Sequence, residues 1–298
     1  MARRYLTGEE MLEQESLDIV SVATPNKFHM PIAVAAFKAG CHVLCEKPMA
    51  MNAAEARQMI AAAQAAGKRL MINFSYRFSD QSMALKDQVD AGVLGDVYFA
   101  RTLWHRRRGV PKFGGWFGQK ELSGGGPLID LGVHRLDLAL WLMGYPKPVW
   151  VLGNAYNPIA SAMAREQGAR YDVEDMAVGM IRFENGAMLE IEASWAANVK
   201  EREWMETRLF GTQGGLVQRN TEETYKFEAE IYLERNGAHY DMALHQPSRP
   251  APSAMVHFVD SILNDTPHMA TGEEGLLVME ILDAIYQSAQ EGRPIQIA

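Results

Sequence analysis

Two short clusters carry most of the chemistry that the residue types allow. The first is Glu46-Lys47-Pro48, which sets a lysine at the end of a predicted buried strand. The second is Gly124-Gly125-Gly126-Pro127-Leu128-Ile129-Asp130, continued through His134 to Asp137. On a helix opened by those glycines, Asp130 and His134 stand at i and i+4 and share a face. A fixed cation beside a carboxylate and an imidazole is what removal of a proton from a substrate hydroxyl needs. Imidazole titrates near neutrality, so His134 suits a general base, and Asp130 would orient it or hold the substrate. Lys47 would stabilise negative charge developing on an oxygen that it faces. The same residues have plainer readings: a solvated loop lysine and a weak surface ion pair. Asp137 reads as a support for the imidazole or as a purely structural carboxylate.

The elements that position these residues follow from hydrophobic runs and their stops. Leu17–Ala23 is a continuous apolar run ending at Thr24-Pro25-Asn26. A helix is predicted from His29 to Ala39, stopped by Gly40. His42–Cys45 is a second strand, and Asn52 caps an alanine-rich helix that Gly67 closes. Leu70–Phe74 is a third strand. Strand, helix, strand, helix, strand at this spacing makes right-handed βαβ units and a parallel sheet. Ligands of such sheets lie outside the carboxyl ends of the strands. Here those ends are Thr24-Pro25-Asn26, Glu46-Lys47-Pro48 and Asn73-Phe74-Ser75-Tyr76-Arg77, expected to converge on one rim.

From Val97 the pattern changes. A strand is predicted over Val97–Arg107 and a helix from the triple glycine to Met143. Strand-like segments then dominate: Val149–Tyr156, Asp175–Phe183, Ala187–Trp195, Glu206–Phe210 and Tyr225–Leu233. Glu184-Asn185-Gly186-Ala187 is a hairpin signal between two of them. Helices over Ala251–Leu263 and Glu273–Gln290 close the chain. The division reads as a dinucleotide-binding unit over 1–96 and an α+β unit with a large, mostly antiparallel open sheet over 97–298.

Composition excludes several classes. With 298 residues, 48% apolar and 22% charged, the chain can bury a sizeable core. A net charge of −8 argues against a nucleic-acid footprint. No apolar stretch approaches a membrane span, and the first residues lack the apolar core of a secretory signal. Cys41 and Cys45 lie four apart on a strand, so their Cα atoms are roughly 13 Å apart and cannot pair. They read as small buried apolar groups in a reducing, cytoplasmic compartment. Alternation points His42 to the other face, so no metal site is expected there.

Taken in order, the motifs resemble the Gfo/Idh/MocA family of nicotinamide-dependent oxidoreductases. The matching residues are Ala23-Thr24-Pro25-Asn26 with His29, Glu46-Lys47-Pro48, Tyr76-Arg77-Phe78, and the glycine run through Asp130, His134 and Asp137. Glu174-Asp175, Phe210-Gly211-Thr212-Gln213-Gly214-Gly215, and Thr271-Gly272-Glu273-Glu274 through to Gly292-Arg293-Pro294 also match. The resemblance implies a Rossmann domain, an α/β domain whose open sheet serves as an oligomer interface, and a dimer or tetramer. It implies NAD or NADP as cofactor, and sugars, sugar acids or inositols as substrates oxidised at a secondary hydroxyl. Lys47, Asp130 and His134 would then carry the chemistry. Thr24, Pro25, Asn26, His29, Glu46, Lys47 and Asn73 would line the cofactor, and Arg77, His105 and Trp116 the substrate. The Lys47–Pro48 bond is expected to be cis. Such proteins begin with a Gly-x-Gly-x-x-Gly loop, which this sequence lacks, so a partial Rossmann domain without its first βαβ unit is expected, from a fragmentary start. Two other readings stand beside this one: a cofactor-deficient binding or scaffold protein, and a nicotinamide-dependent glycoside hydrolase of similar fold.

Overall fold

The architecture comes from a computed structural model, in which residues 3–245 and 250–297 are described. A short helix, α1 (Gly8–Gln14), precedes β1 (Ile19–Val22). Then follow α2 (His29–Lys38), β2 (His42–Glu46), α3 (Ala53–Ala66) and β3 (Leu70–Asn73). The three strands form a parallel sheet in the order β1-β2-β3, with Val22 opposite Cys45 and Glu46 opposite Asn73. Val43, Leu44, Cys45, Leu70, Met71 and Ile72 are all buried, as a sheet covered on both faces requires. Asn52 accepts the Glu55 N–H and Gly67 closes α3 at a φ of +61°. That is the left-handed conformation glycine adopts without strain. Among the described residues β1 pairs on one side only. Both cysteines are free and buried, Cys41 donating to Leu17 O at 3.1 Å. Fully buried Phe37, Met59 and Met71 each contribute about 1.5–3 kcal/mol by leaving water.

The rest of the chain builds a nine-stranded sheet. Its strands are β4 (Val97–Arg106), β5 (Pro148–Tyr156), β6 (Met176–Phe183), β7 (Met188–Ser194) and β8 (Glu203–Gly211). They continue with β9 (Gly214–Thr221), β10 (Lys226–Arg235), β11 (Ala238–Ala243) and β12 (Ile295–Gln296). The order is β11-β10-β9-β8-β4-β7-β6-β5-β12. Every pairing is antiparallel except β4 with β7. Helices α4 (Asp80–Asp90), α5 (Lys120–Ser123), α6 (Val133–Leu142), α7 (Pro158–Glu166), α8 (Ala254–Leu263) and α9 (Gly272–Glu291) complete the set. α6 and α9 cover one face of the sheet, where Leu136, Leu140, Ile285, Ala177, Ile181 and Ile191 share one core. α9 also packs on α3, and β3 is joined to its start by a bridge between Met71 and Thr271. No helix among the described residues is long and apolar enough to cross a membrane.

The expected parallel and mostly antiparallel sheets are both present. Sequence reading passed over α1, α4, α5, α7, β9, β11 and β12. α4 carries few apolar residues and is fixed instead by its Ser79 cap, whose hydroxyl accepts Ser82 N–H. The helix expected from the glycines to Met143 has a different first turn. Leu128–Gly132 is wound as a π-helix, and only Val133–Leu142 is α-helical. Single π turns of this kind recur at functional sites.

Candidate active site

Lys47 leaves the end of β2 through a cis bond to Pro48. Its ammonium donates to Asp130 O at 2.8 Å and to Asp130 Oδ1 at 2.9 Å. The other carboxylate oxygen, Oδ2, accepts the Trp195 indole N–H at 3.1 Å. The lysine and aspartate side chains are 16% and 15% exposed. Two of three ammonium donors are therefore used and one remains, at a place solvent still reaches.

His134 lies one turn on but does not bond Asp130, whose two carboxylate oxygens are taken. The π turn changes the angular step between the residues, so the simple i, i+4 geometry fails. His134 packs instead against Tyr76 and Trp104, with ring centroids 5.0 and 5.8 Å away. Its Nδ1 is buried without a partner among the described residues, while the residue keeps partial exposure. Burial, then the positive charges of Lys47, Arg135 and Arg106, hold the imidazole pKa well below its ordinary value. His134 is thus a neutral ring at physiological pH.

One of these neighbouring cations is unusual. Arg135 is fully buried and no carboxylate pairs with it among the described residues. Its guanidinium stacks 4.5 Å from the Tyr76 centroid and 5.0 Å from that of Phe227, and it donates to Gln218 Oε1 at 3.1 Å. Burial lowers its pKa to about 10. Ring faces carry the negative end of the quadrupole and replace the missing anion in part.

The three strand ends do meet. Asn73 donates from Nδ2 to Glu46 Oε1 at 2.6 Å, and the buried Asn73 Oδ1 has no partner among the described residues. The Thr24 side chain is exposed and Pro25 is half-buried. Two residues expected to touch a cofactor turn inward instead. Asn26 is buried and donates to Ser123 O at 2.7 Å, tying the first strand end to the glycine run. His29 is buried with Nδ1 2.8 Å from Pro48 O and Nε2 2.8 Å from Thr24 O. Both residues hold the rim from behind.

Three substrate expectations fare differently. Arg77 is fully buried and forms a two-point ion pair with Asp137, at 2.9 and 2.5 Å, and a further pair with Glu274 at 2.7 Å. Tyr145 Oη also contacts its guanidinium. An arginine so enclosed cannot reach a substrate, and Asp137 is its structural partner. His105 follows Trp104 on β4, and alternation sends it to the opposite sheet face, where Nε2 stands 3.2 Å from Glu192 Oε2. Trp116 stacks on Phe117 at 3.8 Å, and Phe117 meets the edge of Trp195. Trp116 therefore adjoins the Asp130 side of the site.

The glycines serve the protein's own contacts. A Cβ on Gly125 would stand 2.1 Å from Tyr286 Oη, and one on Gly126 2.2 Å from Glu174 O. Glu174 accepts Gly126 N–H, Leu128 N–H and Tyr286 O–H at 2.8, 3.1 and 2.8 Å. It thereby satisfies the donors that a helix start leaves free. Trp195 and Arg135 were not singled out from sequence, because their roles depend on β7 lying beside the π turn and on Gln218 of β9 reaching Arg135 in α6. Tyr76 and Glu174 stood in recognised motifs, which was the available signal.

Comparison with known proteins identifies the family. Residues 2–74 match the family model for the NAD-binding Rossmann fold of the GFO_IDH_MocA oxidoreductases, and residues 86–297 match that for their C-terminal alpha/beta domain. The chain is 35% identical to D-glucoside 3-dehydrogenase of Escherichia coli (strain K12), over 97% of this chain and 82% of the relative. It is 25% identical to myo-inositol 2-dehydrogenase of Thermotoga maritima, over 99% and 84%. The solved aldose-aldose oxidoreductase of Caulobacter crescentus, complexed with glycerol, superposes with a TM-score of 0.82 at 28% identity, covering 98% of this chain and 83% of that one. The chain belongs to the Gfo/Idh/MocA family and is an NAD(P)-dependent oxidoreductase.

Proposed function

We propose that the chain oxidises a secondary hydroxyl of a sugar, sugar acid or polyol, with Lys47, Asp130 and His134 handling the proton and the developing charge. The observation that carries this is the free third donor of Lys47, held by Asp130 beside a neutral imidazole. The names of the relatives, which act on glucosides and inositol, support the substrate class.

The rim fits a nicotinamide nucleotide. Thr24, Glu46, Lys47 and Asn73 offer hydroxyl, carboxylate, ammonium and amide groups at three parallel strand ends, and Asn73 Oδ1 is a buried acceptor without a donor among the described residues. Ribose hydroxyls are the donors such a set accepts. When bound, the nicotinamide supplies the hydride acceptor. Lys47 donates its remaining N–H to the substrate oxygen and stabilises the negative charge that grows there. His134 takes the hydroxyl proton at Nε2, since Nδ1 is sealed by protein. Asp130, fixed by Trp195, keeps the ammonium aimed. A binding or scaffold role, and net glycoside hydrolysis, are less well supported than oxidation.

The test is reduction of NAD+ or NADP+, followed by absorbance, with glucose, simple glucosides, sugar acids and inositol as substrates. Formation of reduced cofactor with at least one is the expected outcome. Silence across the panel with both cofactors would overturn the reading.

A further inference from the structure

Tyr76 has two sides. One edge meets His134 and the Arg135 guanidinium lies over the ring, while its remaining exposed part lines a cleft of about 560 Å³ bounded by Tyr225, Phe227, Ser75, Gln81 and Lys226. Ligand pockets run from about 300 to 1,000 Å³, so the cleft has room for a ring-sized group. Its walls are aromatic. Phe227 stands edge-on to Tyr76 at 5.5 Å, and Trp104 joins Tyr76 to Tyr225 from below, at 5.7 and 6.0 Å.

Tyr225 is the telling residue. It is more than half exposed, yet its ring is pinned. Its hydroxyl accepts Arg106 Nη2–H at 2.9 Å and donates to Glu203 Oε1 at 3.1 Å. An exposed aromatic face that is already immobilised loses little entropy on stacking with a ligand. The mouth is polar. Ser75, Gln81 and Lys226 side chains make no hydrogen bond among the described residues. Aromatic walls with unused hydroxyl, amide and ammonium groups at the lip suit a hydroxylated ring, whose C–H face stacks while its hydroxyls bond. A bare arene would leave those groups unmatched.

We propose that this cleft is a second sugar subsite, holding the pyranose ring linked to the one being oxidised, so that the preferred substrates are disaccharides. The inference rests on the sugar-oxidation reading above and names its substrate class. Tyr76 borders both His134 and the cleft, so a second ring held there would neighbour the one being oxidised.

The test uses the full chain with glucose, maltose and cellobiose, and measures kcat/KM together with binding by isothermal titration. One disaccharide should exceed glucose by about fivefold or more, the scale of one good aromatic stack. In Tyr225→Ala that ratio should fall about fivefold, whereas Tyr225→Phe should keep most of it. Equal handling of glucose and both disaccharides, or a ratio unmoved in a folded Tyr225→Ala protein, would overturn the subsite alone. Disaccharide binding that Tyr225→Ala weakens, without oxidation of any sugar, would support the subsite and sink the oxidation reading. If no sugar is bound or oxidised, both fall.

Discussion

Two cation–carboxylate pairs lie seven residues apart along the same helical run, and they differ in almost every physical respect. Lys47 with Asp130 joins the end of β2 to the π turn, each side chain about one-sixth exposed. Arg77 with Asp137 joins the loop after β3 to the middle of α6, at 0% and 1% exposed. The first pair leaves an ammonium donor unspent beside a neutral histidine. The second saturates a planar guanidinium with two carboxylates and a phenol. Arginine's fixed fork suits permanent burial, while lysine's compact ammonium can serve a partner and a passing oxygen together. A shared chemistry thus becomes a brace in one place and a tool in the other, and access to solvent decides which.

Replacing one partner in each pair breaks the comparison most sharply. Arg77→Met leaves Asp137 buried with no cation and should cost about 3–5 kcal/mol of stability, read by urea denaturation; a loss under about 1 kcal/mol would mean the pair is no brace. Lys47→Met should slow oxidation about 10²–10³-fold, measured as kcat, with a denaturation midpoint near that of the parent. Near-normal turnover would remove Lys47 from the chemistry. The smallest effect concerns pH. An imidazole whose pKa is held low stays unprotonated where an ordinary one, near 6.5, is half charged. kcat/KM should therefore hold level as the pH falls through about 6.5 and decline only below it. The stability sign is the reverse of that of a histidine paired with an anion: the unfolded chain takes up the proton first, so acid favours unfolding from about pH 6.5 downward. A rate that halves near 6.5 would contradict the neutral, crowded ring.

Much of the scaffold was legible from local signals. Asn52 and Gly67 bracket α3, and the unbroken runs at Val43 and Met71 announce strands buried on both faces. Lys47 was legible because a lysine between a strand end and a proline is positioned whatever the fold. Arg77 was misread for the same reason. It too follows a strand end, and only the arrival of Asp137 and Glu274, 60 and 197 residues away, seals it. His105 was misplaced by one step of alternation, since the register of β4 against β7 fixes which face is which. The glycine run announced only the start of a helix, whereas Glu174 and Tyr286 occupy the space its absent side chains leave. The π turn gave no local sign, because its partners are distant in sequence: Gly132 packs on Ala193 and Ile191 of β7, and Asp130 accepts from Trp195.

The bridge between Met71 and Thr271, reinforced by Ile72 N–H on Ala270 O at 2.8 Å, has a consequence for how the chain folds. Contacts so far apart in sequence form late, because a long loop must close before they repay its entropy. On the ribosome the small parallel sheet must wait for almost the whole chain to emerge before its last strand is secured. Ordering of β3, whose Asn73 bonds the Glu46 that precedes Lys47, is therefore tied to the docking of α9.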